Sequence, residues 1–182
     1  LHTRPRDEVQ RVLTLDFGGG TLDFCILDRG GSGFKVLSTH GIGLGGDHID
    51  QLLYRHLLFP HLGKGKIWRR KGFDREIETP FPFEDYEDLL LNWAVTYTLN
   101  QNRFTAPVME CIESAGEDAK CFVRLRDIIK HNLSYVLFTK IRDLKAELSI
   151  SDSAALDLEE IDLRLELTRA EFEAVIRKPL DQ

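Results

Sequence analysis

The sequence predicts an α/β protein, and three features of its apolar pattern carry this prediction. Short apolar runs at 12–15 and 24–27 flank a glycine cluster near the start of the chain. Apolar residues then recur at spacings of three and four through most of the chain, and strict alternation returns at 156–167. The first and last patterns are typical of strands, and the middle one is typical of amphipathic helices. We therefore expect a mixed sheet of at least three strands from Val12 to Ser38, followed by a mostly helical region with a small β-hairpin.

The turn between the first two predicted strands has the sequence Asp16-Phe17-Gly18-Gly19-Gly20-Thr21-Leu22-Asp23. Glycines let backbone N–H groups approach a ligand with no Cβ in the way, and converging N–H donors favour an anion such as phosphate. Asp16 ends the first strand and is placed to hold Mg²⁺ through water, because Mg²⁺ keeps most of its waters. Three glycines alone would favour a plain hairpin turn. The flanking acids and the hydroxyl of Thr21 favour a phosphate loop instead.

A second glycine-rich segment, 41–46, follows a third predicted strand at 34–38. Leu53, His56 and Leu57 then follow helical spacing, which predicts a helix over 47–59 that Pro60 stops. Gly45 and Gly46 lie at the start of this helix. The first turn of a helix has unpaired N–H groups and the positive end of the dipole, so this point can also receive phosphate.

The stretch 61–82 is predicted to be a linker-like, solvated loop, because it contains three glycines and two prolines. It also carries a basic cluster, which leaves a surface for an anionic partner as the alternative. The cluster consists of Lys64, Lys66, Arg69, Arg70, Lys71 and Arg75.

Several helices are predicted downstream of this stretch. A first helix over 84–99 would bury a stripe that includes Trp93 and Tyr97, and a second would start at 105–107 and stop at Gly116. Helical spacing resumes at 122–129, breaks at 132–134 and continues to Leu148, with Leu133, Val136 and Ile141 as expected core positions. Alternation at 156–167 predicts a hairpin with one buried face. Thr168 and Glu171 have the spacing of a capping box that opens a last helix.

Composition narrows the functional class. The chain of 182 residues has a net charge of -6, which argues mildly against nucleic acid as a main partner. No apolar run is long enough to span a bilayer, and no signal peptide opens the sequence. Cys25, Cys111 and Cys121 are odd in number and lack a metal-binding spacing, so we expect reduced thiols in a cytoplasmic protein.

The two glycine motifs, taken in this order and at this separation, resemble the heat shock protein 70 (DnaK-type) family of the actin-like ATPase superfamily. The triple glycine followed by Thr21 and Asp23 is similar to the second phosphate loop of that family. The segment from Gly45 to Asp50 is similar to its Gly-Gly-(acid)-x-x-Asp motif. The resemblance implies a ribonuclease H-like half-lobe with an inserted, mostly helical subdomain that carries a small β-hairpin.

Two further segments are similar to this family. Lys145 and Ser149 match an Ala-Lys-x-x-Leu-Ser motif whose Lys and Ser contact adenosine, and 167–175 resembles the step after the last strand of the small subdomain. The family has a ribose-binding Glu three residues before that Lys. Here Arg142 stands in its place.

The resemblance implies a site for ATP or ADP with Mg²⁺, with client polypeptides and co-chaperones as partners and neither nucleic acid nor a membrane. Asp16 would hold the Mg²⁺ shell and Asp23 would help to orient the metal's water. The remaining roles are phosphate contacts by the Gly19 and Gly20 amides and Thr21, in the cofactor-binding loop that begins at Gly18, a phosphate border at Gly45 and Gly46, and adenosine contacts by Lys145 and Ser149.

The resemblance also implies how the chain is organised. Residues 1–60 would be part of the second large lobe, 61–168 the inserted small subdomain, and 169–182 the start of the helix that returns to the large lobe. The family's first phosphate loop, its catalytic lysine and its final adenosine loop do not occur in these residues. We therefore expect a piece of a longer protein, similar to the divergent bacterial DnaK-like chaperones.

Three functional hypotheses stay open. In the first, the longer protein is an ATP-hydrolysing chaperone and this chain is inactive alone. In the second, it is a non-hydrolysing DnaK-like interaction module, for which Arg142 is the support. The third is an actin-like filament protein or a kinase of small metabolites. The long insertion and the Lys145/Ser149 match argue against the third hypothesis.

Overall fold

The computed structural model describes residues 10–30 and 33–180, with the side chains of 178–180 left out, and these residues form helices and small sheets as an α/β protein should. The chain divides into two units, Leu1–Ile49 and Asp50–Gln182. The mixed α/β content is compatible with the predicted fold class.

The first unit contains a three-stranded sheet in the order β1-β2-β3. Its strands are β1 (Gln10–Phe17), β2 (Leu22–Gly30) and β3 (Gly33–Ile42). Three strands were expected and three are present, but both pairings are antiparallel, so the expectation of a mixed sheet is wrong for the described strands. Short connections explain this result, because parallel strands need a crossover of a dozen or more residues.

The sheet is open to solvent over much of its surface. Leu13, Leu15 and Phe17 alternate along one face of β1 and are 59%, 61% and 54% exposed. Their partners in β2 are Ile26, Phe24 and Leu22, which share that face because directly paired residues point the same way. The alternating apolar pattern therefore predicted the strands correctly, and within the described residues it leaves an apolar face uncovered.

Helix α1 (Gly46–Leu57) begins and ends within two residues of its prediction and is followed by a 3₁₀ turn at Phe59–His61. Leu53 and Leu57 are buried as expected. His56, which was counted on the same apolar face, is exposed, and Tyr54 takes the buried position instead.

The linker predicted over 61–82 is wrong, because this stretch forms a β-hairpin. Strands β4 (Ile67–Lys71) and β5 (Glu76–Pro80) pair antiparallel, and the turn between them contains Gly72. In β4 the apolar residues Ile67 and Trp68 are consecutive and are followed by three consecutive basic residues, so the sequence lacks the alternation that would have indicated a strand. Cross-strand pairing of Arg69 with Glu78 at 2.8 Å adds to the ladder.

The single helix predicted over 84–99 is also wrong. Helix α2 (Glu84–Leu90) stops early, and a turn leads to a 3₁₀ helix at Thr96–Asn100. The buried hydroxyl of Thr96 donates to the carbonyl of Leu89 at 2.9 Å and fixes this turn. The change of direction moves Trp93 and Tyr97 off the buried stripe, and they are 48% and 62% exposed.

Helix α3 (Asn102–Ser114) starts before the predicted Thr105, so Pro107 lies inside the helix and not in its first turn. Proline has no N–H, so the carbonyl of Arg103 lacks its i→i+4 partner. The predicted stop at Gly116 is confirmed by its positive φ of +58°, which glycine adopts readily.

The remaining elements follow the prediction closely. They are α4 (Ala119–His131), α5 (Ser134–Glu147), β6 (Ser153–Leu158), β7 (Leu163–Thr168) and α6 (Arg169–Leu180). Asn132 has a left-handed φ of 51° and makes the expected break between α4 and α5. Strands β6 and β7 form the expected hairpin.

Replacement of Ile141 by alanine should lower the free energy of unfolding of the second unit by about 2–5 kcal/mol, because the side chain is completely buried and its loss leaves a cavity. Val136 and Leu133, also predicted as core, are only half-buried. Val136→Ala is therefore the matched control, with a smaller effect. Chemical denaturation of both variants measures the difference, and equal midpoints would contradict the assignment of the buried face.

The capping box at the start of α6 is confirmed. The hydroxyl and the backbone N–H of Thr168 donate to Glu171 Oε2 at 2.7 and 2.9 Å, and Glu171 N donates back to Thr168 Oγ1 at 3.2 Å. These bonds, the backbone one first, hold the pKa of Glu171 below its ordinary value. Both Thr168 donors favour the ionised carboxylate.

This lowered pKa gives stability a defined pH dependence. Since the folded pKa lies below the unfolded one, the contribution of Glu171 is fully present above the unfolded pKa and is lost as the pH falls through the folded pKa. We expect Glu171→Gln to flatten the acid side of a plot of unfolding free energy against pH. The variant and the parent should converge at low pH, and parallel curves would contradict this assignment.

Candidate functional site

The turn between β1 and β2 is a tight loop of three glycines and Thr21. Gly18 N donates to the carbonyl of Thr21 at 2.8 Å, which closes the loop. Asp16 and Asp23 flank it and lie directly opposite each other in the strand register. The predicted phosphate loop and both of its acids are therefore brought together by the hairpin.

The start of α1 holds this loop through its backbone. Gly46 N donates to Gly18 O at 3.0 Å, and Asp47 N donates to Gly19 O at 2.7 Å. Gly45 allows this close approach, because a Cβ at that position would lie 2.2 Å from the Gly19 carbonyl oxygen. Two of the first amides of α1 thus donate hydrogen bonds to the loop carbonyls, and these bonds position the loop.

The middle of the loop faces open space. A Cβ built at Gly20 would meet no described atom within 4 Å. At Gly19 the nearest atom would be Asp47 Oδ2, at 3.2 Å. The loop therefore has open space beside Gly20 and the Asp47 carboxylate beside Gly19.

Thr21 and Asp23 are connected by a hydrogen bond in which Thr21 Oγ1 donates to Asp23 Oδ2 at 2.7 Å. The other oxygen of Asp23 lies 2.5 Å from where a Cβ of residue 41 would be, so Gly41 makes room for this carboxylate. Directly opposed like charges such as Asp16 and Asp23 are unfavourable. A cation bound near them would relieve the repulsion.

Direct metal coordination is a separate question. Within residues 10–30 and 33–180, no group of three His, Cys, Asp or Glu side chains is arranged to hold a metal ion. A Mg²⁺ ion that keeps its waters and touches a phosphate does not need such a group. The role of Asp16 therefore stays a prediction.

The predicted adenosine residues lie in the second unit, at the end of α5. Lys145 forms an ion pair with Asp50, and Ser149 Oγ donates to the carbonyl of Lys145 at 3.1 Å. Arg142 contacts the same acid, with its Nε 3.3 Å from Asp50 Oδ2. The structure thus places Lys145, Arg142 and Ser149 together and ties the two cations to a single carboxylate.

Asp50 is the residue that the sequence reasoning missed. Its side chain is only 3% exposed, whereas those of Arg142 and Lys145 are 44% and 27% exposed. The signal was available in the helical pattern, because Asp50 precedes Leu53, Tyr54 and Leu57 by three, four and seven positions. An acid on the buried stripe of a helix needs a cationic partner.

Thiol chemistry finds little support. All three cysteines are free, and Cys111 is buried. Burial raises the pKa of the Cys111 thiol to about 12, so it stays protonated near neutral pH and is a poor nucleophile. The expected reduced state is compatible with this environment.

The fold and the loop geometry together define a class of protein: an α/β protein in which the start of a helix holds a triple-glycine loop by backbone hydrogen bonds. The model of the family described as Hsp70 protein matches residues 4–71. This match confirms the predicted resemblance to the Hsp70, or DnaK-type, family, and it covers the loop, the first turn of α1 and Asp50. No helix among the described residues has the length and apolar character needed to cross a bilayer.

Proposed function

We propose that the chain supplies part of the ATPase domain of a DnaK-like chaperone, with the second phosphate loop and part of the adenosine site. The family match supports a chaperone ATPase domain in general terms. The observation that carries the finer proposal is the way the start of α1 holds the triple-glycine loop, which we call the clamp. Gly46 N and Asp47 N donate to loop carbonyls, Gly45 permits the close approach, and Gly20 stays open to a ligand.

The loop can act by position and charge. Backbone amides at Gly19 and Gly20 would bind phosphate oxygens, and Asp16 and Asp23 would hold the hydrated metal. The hydroxyl of Thr21 would bind phosphate by exchanging its hydrogen bond to Asp23 Oδ2 for one to a phosphate oxygen. When bound, Mg²⁺ neutralises charge on the phosphates. A loop that is already ordered loses little entropy on binding and stabilises developing charge without reorganisation.

The proposed adenosine contacts lie beside a buried acid. Lys145 and Arg142 both form ion pairs with the buried Asp50. A nucleotide would therefore bind next to two cations whose charge this acid already partly neutralises. This arrangement keeps the non-hydrolysing interaction module as the second candidate function. In that case the ion pairs would serve only to hold α5 against α1.

Partners follow from the family. Hsp70 proteins in general act on client polypeptides together with co-chaperones, and we propose the same classes here.

Titration of Mg-ATP into the 182-residue chain and into the full-length protein separates the two candidates. The chain alone should bind weakly or not at all and should not hydrolyse ATP at a useful rate, since it lacks the first phosphate loop and the catalytic lysine. The full-length protein should bind, and Thr21→Val should slow its turnover. Micromolar binding by the chain alone would show that the site is misplaced. Full-length protein that ignores ATP would favour the interaction module.

A further inference from the structure

A groove of about 480 Å³ lies on the second unit, between α3 and α4. Its residues come from these two helices and from the end of the preceding 3₁₀ helix, and they share no position with the phosphate loop or the proposed adenosine contacts. They are Asn100, Thr105, Val108, Met109, Arg126, Ile129 and Lys130. The volume lies within the range of ligand sites, which is about 300–1,000 Å³.

The charge of the groove is positive. Its ionisable side chains are Arg126 and Lys130, and no carboxylate is among the described residues that line it. Lys130 is exposed and forms no ion pair within the described part of the chain. Arg126 has an acid beside it, because its Nε and Nη2 donate to Asp127 Oδ1 at 2.9 and 2.7 Å. The groove thus holds one uncompensated cation and one that is already paired.

The neutral polar groups of the groove can also donate hydrogen bonds. Asn100 is exposed, and its side-chain amide has two N–H donors. Thr105 Oγ1 lies 3.5 Å from the carbonyl oxygen of Gln101, a long bond that the hydroxyl can exchange for a better acceptor. Every polar side chain of the groove is therefore a possible donor, and this set favours an anionic oxygen group.

The free apolar surface of the groove is small. Met109 is 42% exposed, whereas Val108 and Ile129 are 1% and 2% exposed. A methionine side chain is flexible and polarisable, so it adapts to the shape of a ligand. The methylene groups of the Lys130 side chain can add to this surface. The groove therefore has room for a short apolar body beside its cation.

We infer that this groove binds a small amphiphilic anion, namely a monocarboxylate on a short aliphatic body. The carboxylate lies at the Lys130 ammonium and accepts from the Asn100 amide, and the aliphatic body packs against Met109. A single negative charge matches the groove, because Lys130 is uncompensated while Asp127 already pairs with Arg126.

Other partners fit this groove less well. An amphipathic helix docks through several apolar anchors along its length, whereas Met109 is the one apolar residue of the described lining with substantial exposure. Nucleic acid is held by many cations along its phosphates, and this lining supplies two. A cationic ligand would be repelled by Lys130.

The test uses the fact that Met109 is the only methionine of the sequence. A ¹H–¹³C spectrum of the chain labelled at methionine methyl groups reports on the groove through this residue, and Met109→Leu assigns the signal. The probe is sodium hexanoate at constant ionic strength. We expect the signal to shift with saturation at a Kd of about 1 mM or below. Lys130→Gln should weaken binding by about two- to fivefold, since it removes an exposed ion pair.

Matched controls decide the outcome. Lys140→Gln removes an exposed cation of α5 outside the groove and should leave the affinity unchanged. Hexanamide has the same aliphatic chain without the charge and should bind more weakly than hexanoate. The inference is overturned if the Met109 signal is unmoved at millimolar hexanoate, if hexanamide binds equally well, or if the two lysine variants have the same effect.

Discussion

Replacing Gly45 with alanine should destabilise the first unit by about 1–3 kcal/mol or more and release the phosphate loop from α1. The added methyl carbon would lie 2.2 Å from the Gly19 carbonyl oxygen and 2.6 Å from the Gly20 carbonyl carbon. Both are backbone atoms, so no side-chain rotation relieves the contact. The chain must move apart, and the bonds from Gly46 N and Asp47 N to the loop carbonyls are then lost.

Amide hydrogen exchange measures this effect directly, because the Gly46 and Asp47 amides should lose protection in the variant. Gly43→Ala is the matched control, since a Cβ there meets no described atom within 4 Å and the residue lies two positions away. Gly20→Ala should also leave the Gly46 and Asp47 amides protected. In full-length protein, however, it should weaken phosphate binding, because its Cβ would enter the open side of the loop. Equal exchange in the Gly45 and Gly43 variants would contradict the clamp.

The loop itself could be predicted from the sequence because its signals are local. Glycine placement, the flanking acids at 16 and 23 and the apolar runs each specify backbone conformation over a few residues. The same holds for Asn132 and Gly116, where single residues with positive φ end helices, and for the capping box at Thr168. In these places local propensity and tertiary structure agree.

The errors arise where distant contacts decide the structure. In the β4–β5 hairpin, glycines and charges indicate a loop, yet Trp68 anchors the strand by its bond to Glu110, 42 positions away. Trp93 is exposed and not buried as predicted, because α2 ends near Leu89, where the carbonyl accepts a hydrogen bond from the hydroxyl of Thr96. The residues that follow therefore do not continue the helical spacing. Neither contact leaves a periodic trace in the sequence.

The candidate functional site also has a part that local sequence signals predict and a part that depends on distant contacts. The phosphate-loop residues lie within one hairpin and its neighbouring helix start, so spacing along the chain placed them together. Asp50 and Lys145 are 95 positions apart, and only the fold brings them into contact. A resemblance could indicate Lys145 as a ligand contact, but it could not show that a buried carboxylate holds it.

That buried carboxylate gives the second large prediction. Replacing both Arg142 and Lys145 with methionine should lower the free energy of unfolding of the second unit by about 3–5 kcal/mol, because Asp50 would be left buried and unpaired. Its side chain is 3% exposed, so solvent cannot replace the two cations. Either single substitution should cost much less than half of this amount, since the remaining cation still compensates the charge.

The control for this prediction is the triple variant that adds Asp50→Asn. Removing the acid together with its partners eliminates the unpaired charge, so it should recover most of the lost stability although three native side chains are gone. Chemical denaturation of the parent, the two single variants, the double and the triple gives the coupling between the cations and the acid. A triple variant no more stable than the double would mean that the methionine side chains disrupt packing at α5. The ion pairs with Asp50 would then contribute little to holding α1 and α5 together.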